Sequence, residues 1–223
     1  MVSREVVPTA ISSECPARFQ AEAAVLDLGG FCMSKLTYLS LQSRRTPALI
    51  RRSDPEQYQL ALVTKSSMAL SQQGNDCCAV AGDLVMWDTW RPWTARSPTR
   101  GGEGELVVLQ LPRSTVPLRT RQIERLLARR LPGGHGIAAI LASMMKSLVD
   151  NGDRCTPQEL DRLGTITAEL AAACLAHHLD VEGDLSAETR TQALSRQIHT
   201  FIDFHCDGTG RARPLWDPAA GQA

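Results

Sequence analysis

A chain of 223 residues, 43% hydrophobic and 22% charged, has an ordinary globular composition and enough length to bury one large core or two small ones. Its 24 basic residues balance 24 acidic ones, and a formal net charge of zero argues against a chain devoted to nucleic acid, which needs a basic excess to neutralise phosphates. No stretch approaches the roughly 20 apolar residues of a membrane span.

The first residues, Met1 to Cys15, lack a basic region followed by an apolar run, so no secretory leader is expected there. The seven cysteines are scattered without a C-x-x-C pair, which reads as reduced cytosolic thiols rather than a disulfide framework or a zinc site. Adjacent Cys77 and Cys78 are expected to place one thiol inward as a small hydrophobe and the other outward.

Between residues 20 and 111 the chain holds short apolar or alternating runs: Leu36–Leu41, Tyr58–Val63, Met68–Gln72, Leu84–Trp87 and Leu106–Leu111. Turn-forming clusters separate them, among them Gly29-Gly30, Gln73-Gly74-Asn75-Asp76 and Ala81-Gly82-Asp83. Short, closely spaced strands with glycine-rich turns predict a β-sandwich or small barrel. From residue 118 the period changes. Ile137, Ile140, Leu141, Met144 and Leu148 recur at helical spacing. Thr156-Pro157-Gln158-Glu159 carries a capping box and a proline at the first helical position, followed by the stripe Leu160, Leu163, Ile166 and Leu170. His177-His178 is read as a helix end, and a last helix is expected from about Ser186 to Phe204. The remainder, residues 205–223, is expected to be a disordered tail.

The pieces Leu26–Gly29, Thr46–Arg51, Ser53-Asp54-Pro55 with Tyr58, Gly82–Val85 with Asp88 and Arg91-Pro92, Leu109–Ser114 and Leu131–Ile137 stand out next. In this order, over about residues 17 to 204, they resemble the AraC-binding-like N-terminal domain of AraC/XylS-type transcription regulators. The resemblance implies an α+β protein, with a cupin-like β-barrel over residues 20–112 and a helical dimerisation region over 113–204, after an N-terminal extension of residues 1–19. It further implies a cytoplasmic, non-enzymatic sensor of a small-molecule effector, paired as a homodimer or with a full-length relative. Gly208, Gly210 and Pro214 leave no room for a recognition helix after Phe204, so the chain is expected to stop before a DNA-binding half and to reach DNA only indirectly. An inactive remnant and a cupin enzyme are the competing readings.

Chemistry narrows these. Metal-dependent cupins use barrel histidines, and all five histidines here lie at or after His135, so neither metal nor other cofactor is expected. No nucleophile elbow, P-loop or dinucleotide fingerprint occurs, and no catalytic residue is assigned. The candidate effector pocket is Tyr38, Trp90, Trp93 and Arg45. Trp87, Trp90 and Trp93 read either as an aromatic wall or as core, and the pairs Arg44-Arg45 and Arg51-Arg52 either as a carboxylate clamp or as a solvated rim. The basic run from Arg119 to Arg130 is read as an amphipathic helix with Ile123, Leu126 and Leu127 facing in. The candidate dimerisation surface is Leu160, Leu163, Ile166 and Leu170.

Overall fold

A computed structural model describes residues 7–13, 19–99 and 102–184, with side chains described as far as residue 180. Eleven strands among the described residues form two antiparallel sheets. The smaller sheet has the order β1(Ala10–Ser12)–β4(Leu41–Arg45)–β9(Trp93–Ser97)–β6(Ser67–Gln72)–β7(Asn75–Val80). The larger has the order β11(Arg130–Leu131)–β8(Leu84–Asp88)–β5(Gln57–Lys65)–β10(Gly104–Pro112)–β3(Cys32–Tyr38)–β2(Ala21–Asp27). The expected α+β, cupin-like barrel is therefore present as two facing sheets rather than one continuous ring of paired strands.

The long apolar runs at the centre of the larger sheet have a simple cause: both of its faces are covered. In β5, Tyr58, Leu60 and Leu62 join one core while Ala61 and Val63 join another. β10 divides in the same way, with Val107, Leu109 and Leu111 on one side and Leu106 and Val108 on the other. The second core fills the space between the two sheets. The first lies under the helices α2(Thr120–Glu124), α3(Gly136–Asn151) and α4(Pro157–Asp184), through Ile123, Leu141, Met145, Leu148, Ala171 and Leu175. Each fully buried Leu in these layers contributes about 1.5–3 kcal/mol relative to exposure.

Local signals set several boundaries. Gln73 and Gly74 both have positive φ, at 56° and 75°, which is the backbone of a two-residue hairpin turn joining β6 to β7. At the start of α4, Thr156 N donates to Glu159 Oε2 at 2.7 Å and Glu159 N donates to Thr156 Oγ1 at 3.3 Å, the reciprocal capping box expected. Thr46 caps the six-residue α1(Pro47–Arg52) by one bond, its Oγ1 accepting from Leu49 N at 3.3 Å.

Other expectations need correction. The run Leu36–Leu41 is not one strand, because the chain turns at Leu39-Ser40 between β3 and β4. The basic run yields only the five-residue α2. Ile123, Leu126 and Leu127 are nonetheless buried, the last two through a turn that leads into β11. His177-His178 lies inside α4, which continues to Asp184. Cys77 and Cys78 are both buried, since β11 packs beside β7. Burial pushes their thiols up to about 12 and about 11, which keeps them protonated and poorly reactive. The final helix and tail expected from Ser186 onward lie outside the described residues.

The inward face of α4 is also displaced from the expected stripe. Gly164, Thr167, Ala171, Cys174, Leu175 and Leu179 are buried, whereas Leu160, Leu163 and Leu170 are half-buried at its flank and Ile166 is 51% exposed. Small residues decide this. A Cβ on Gly164 would collide with the Leu28 carbonyl oxygen, so the helix packs directly on the backbone just after β2 at a position where the sequence looks least hydrophobic.

Candidate functional site

Alternation along the strands aims one set of side chains into the space between the sheets. From β3 these are Ser34, Leu36 and Tyr38; from β10, Leu106, Val108 and Gln110; from β5 and β8, Gln59 and Trp87. The smaller sheet contributes the cross-strand row Ile11, Ser43 and Ala95, which are direct partners in register, with Leu41, Met68, Trp93 and Ser97 around it. The side chains do not fill this space. A mostly apolar cavity of about 250 Å³ remains toward the β1–β2 end of the sandwich, where Ala21, Glu22 and Ala23 are exposed and Ile11 is 56% exposed.

Its wall holds polar atoms without partners. The Tyr38 hydroxyl and the Nε1–H groups of Trp87 and Trp93 are buried and make no hydrogen bond. The two indoles pack against each other with ring centroids 5.7 Å apart and planes tilted by 58°. Tyr38 sits opposite Gly104 in register, and its ring occupies the space that a Cβ at Gly104 would need. Burial pushes the phenol up to about 12, against a smaller opposing effect of the nearby Ser97 hydroxyl, so Tyr38 stays a neutral donor. Gln110 is partnered within the wall, donating from Nε2 to Ser34 Oγ at 3.1 Å.

The four expected pocket residues separate into two groups. Tyr38 and Trp93 line the cavity. Trp90 stands on the helix-facing side of the larger sheet: it meets Tyr58 edge-on at 4.9 Å, and the Arg113 guanidinium lies 4.9 Å above its ring. Arg45 is not among the lining residues either. It is 1% exposed, and three of its five N–H donors go to backbone carbonyls: Nε donates to Thr89 O at 3.0 Å, Nη1 to Pro8 O at 2.6 Å and Nη2 to Ser53 O. Burial lowers its pKa, and the nearby Asp54 carboxylate opposes that shift. Arg45 thus fastens three separate loops. One is the segment whose Val7 and Thr9, on either side of Pro8, line the cavity.

A second buried polar group lies at the end of β8. Asp88 accepts from Gln72 Nε2 at 3.1 Å and from the Arg91 backbone N at 3.1 Å, and its other oxygen is 3.5 Å from Arg91 Nη1. Arg91 also pairs with Glu124 and so ties the β8–β9 turn to α2. Burial pushes Asp88 up to about 6, with Arg91 pulling the other way. Among the described residues, no group of three or more His, Cys, Asp or Glu is placed to hold a metal ion, and no helix is long and apolar enough to cross a membrane.

Residues 1–180 match the family model of the AraC-binding-like domain. The chain belongs to the AraC-binding-like domain family. Among solved structures, this AraC-binding-like chain is similar to the AraC-like transcriptional activator CuxR, at 15% identity over 84% of this chain and 76% of that one, with a TM-score of 0.67. At that identity the likeness is one of fold. A partial likeness is found to the Cupin_2 domain of an XRE family transcriptional regulator from Enterobacter cloacae, at 10% identity, 42% of this chain, 95% of that chain and a TM-score of 0.34. No curated protein matches the sequence significantly.

Of the two readings open for Trp87, wall and core, both apply: it is buried in the core between the sheets and also borders the cavity, which only strand register brings together. The partners of Arg45 are carbonyls at positions 8, 53 and 89, which no spacing in the sequence connects.

Proposed function

We propose that this chain is the sensing and dimerisation part of a transcription regulator, non-enzymatic and cytoplasmic, and that the cavity between the two sheets binds a small-molecule effector. The observation that carries the reading is that cavity itself: about 250 Å³ of mostly apolar space between the two sheets, within a chain of the AraC-binding-like family. Tyr38 and Trp93 are its contact residues, joined by Trp87. Arg45 supports it from outside by holding Pro8, while Trp90 stands on the helix-facing side of the larger sheet.

The dimer contact in this reading is the flank of α4 that carries Leu160, Leu163, Ile166 and Leu170: the three leucines are half-buried against the core, and the 51% exposure of Ile166 leaves it available to a second subunit.

The test of the effector reading is a thermal-shift screen of small metabolites, with each hit repeated on Ser43→Phe. Ser43 is a half-buried cavity residue, and the larger ring would occupy the space. A ligand at a hundred times its Kd adds about 2.7 kcal/mol, a shift of about 5–10 °C for a chain of this size. Hits that lose their effect in Ser43→Phe support the reading. Hits that keep it unchanged contradict it.

A further inference from the structure

Charge is the first thing the cavity wall says about its ligand. Among the described lining residues Glu22 is the one acidic or basic side chain, and it sits exposed at the mouth; no described Lys, Arg or His lines the cavity. A carboxylate or phosphate placed inside would lose its water and find no cation among the described lining residues, a cost of several kcal/mol. The buried Arg45 does not line the cavity, and three of its five N–H donors hold backbone carbonyls outside it.

The second observation concerns donors. Three lining residues carry buried polar hydrogens with no partner: the Tyr38 O–H and the Trp87 and Trp93 Nε1–H. An indole N–H can only donate. Buried donors left unmet are costly, so an occupant gains most by presenting an acceptor oxygen to them. Size sets the third limit. A cavity of about 150 Å³ takes benzene, so about 250 Å³ corresponds to about ten non-hydrogen atoms.

Building on the effector reading above, we infer that the ligand is an uncharged, compact and largely apolar molecule of about ten non-hydrogen atoms. It carries a carbonyl or ether oxygen that accepts from Trp93, Trp87 or Tyr38. Small rotations of these side chains bring their donors to the ligand, while the aliphatic walls from Leu36, Leu106 and Val108 hold its apolar body.

A matched set of probes tests this by isothermal titration calorimetry on the whole chain: 1-tetralone, tetralin, tetralin-1-carboxylate and 1-aminotetralin. These share one carbon frame and differ in acceptor and charge. The expected result is that the ketone binds at least fivefold more tightly than the hydrocarbon, the gain of one or two neutral hydrogen bonds, and that both charged probes bind more weakly than the ketone. Trp93→Phe and Tyr38→Phe should each shrink the ketone-to-hydrocarbon ratio by about two- to tenfold while leaving tetralin affinity within about twofold. The inference is overturned if the carboxylate or amine equals the ketone, if tetralin equals it, or if none of the four binds. These outcomes leave the cavity reading standing. That reading fails separately, if hits from the metabolite screen bind Ser43→Phe as well as they bind the natural chain.

Discussion

Replacing Arg45 by Met separates a structural guanidinium from a ligand-binding one. Met keeps the apolar stem and removes the charge and all the donors. The carbonyls of Pro8, Ser53 and Thr89 then lose the bonds that Arg45 makes to them. A hydrogen bond to a charged group is worth about 1.5–3 kcal/mol, so three contribute about 5–9 kcal/mol gross. Removing a buried charge returns several kcal/mol of desolvation, leaving a net loss of about 3–5 kcal/mol. For a chain of this size each kcal/mol moves Tm by about 2–4 °C, so the melting temperature should fall by about 10 °C. Differential scanning fluorimetry at neutral pH measures this, with Arg44→Ala as the control. Arg44 is only half-buried and should shift by no more than about 2 °C. Limited proteolysis adds a local readout, because freeing Pro8 should expose the segment around β1 to cleavage first. If Arg45→Met melts within about 2 °C of the natural chain, Arg45 does not fasten these loops and its role lies elsewhere.

Three further outcomes are expected. Gly164→Ala should destabilise the chain by more than about 1 kcal/mol in urea unfolding despite the better helix propensity of Ala, because its Cβ meets the Leu28 carbonyl; a stabilised variant would refute that packing. The Asp88 carboxyl is raised to about 6 in the folded chain against about 3.9 when unfolded, so the folded state holds this proton over a wider range. Its contribution therefore favours folding at low pH and is lost as pH rises from about 4 to about 6, by up to about 3 kcal/mol. Subtracting the stability of Asp88→Asn from that of the natural chain should reveal this decline, and a difference that is flat across the window would refute it. Ile166→Asp should abolish any dimer seen by sedimentation at tens of micromolar without lowering Tm by more than about 2 °C; a dimer that persists places the contact elsewhere.

What the sequence disclosed was local. β5 and β10 stood out because residues buried on both faces of a sheet leave an unbroken apolar run, as in Leu60-Ala61-Leu62-Val63. The turn at Gln73-Gly74 and the cap at Thr156 each involve residues within three positions of one another. β2 leaves no signal in the sequence because Ala21 to Ala24 are exposed at a sheet edge and carry no alternation. The inner face of α4 was hidden for the opposite reason: Gly164, Thr167 and Ala171 are buried through being small, and a reading of hydrophobic size picks out Leu160, Leu163 and Ile166 instead. The cavity lay furthest from view. Its wall gathers side chains from both sheets, and only the register tells Trp93, which lines it, from Trp90, three residues away on the other side of the larger sheet.

That same difference supplies the most direct test of where an effector binds. In a ¹⁵N-labelled sample, the indole Nε1–H signals of Trp87, Trp90 and Trp93, assigned by single Trp→Phe replacements, report on both sides of the larger sheet at once. Titrating in the strongest hit of the screen should move the Trp87 and Trp93 signals together and saturably while Trp90, packed between Tyr58 and Arg113, stays in place. A ligand that shifts Trp90 and leaves Trp87 and Trp93 unmoved would contradict the assignment of the cavity between the sheets as the effector site.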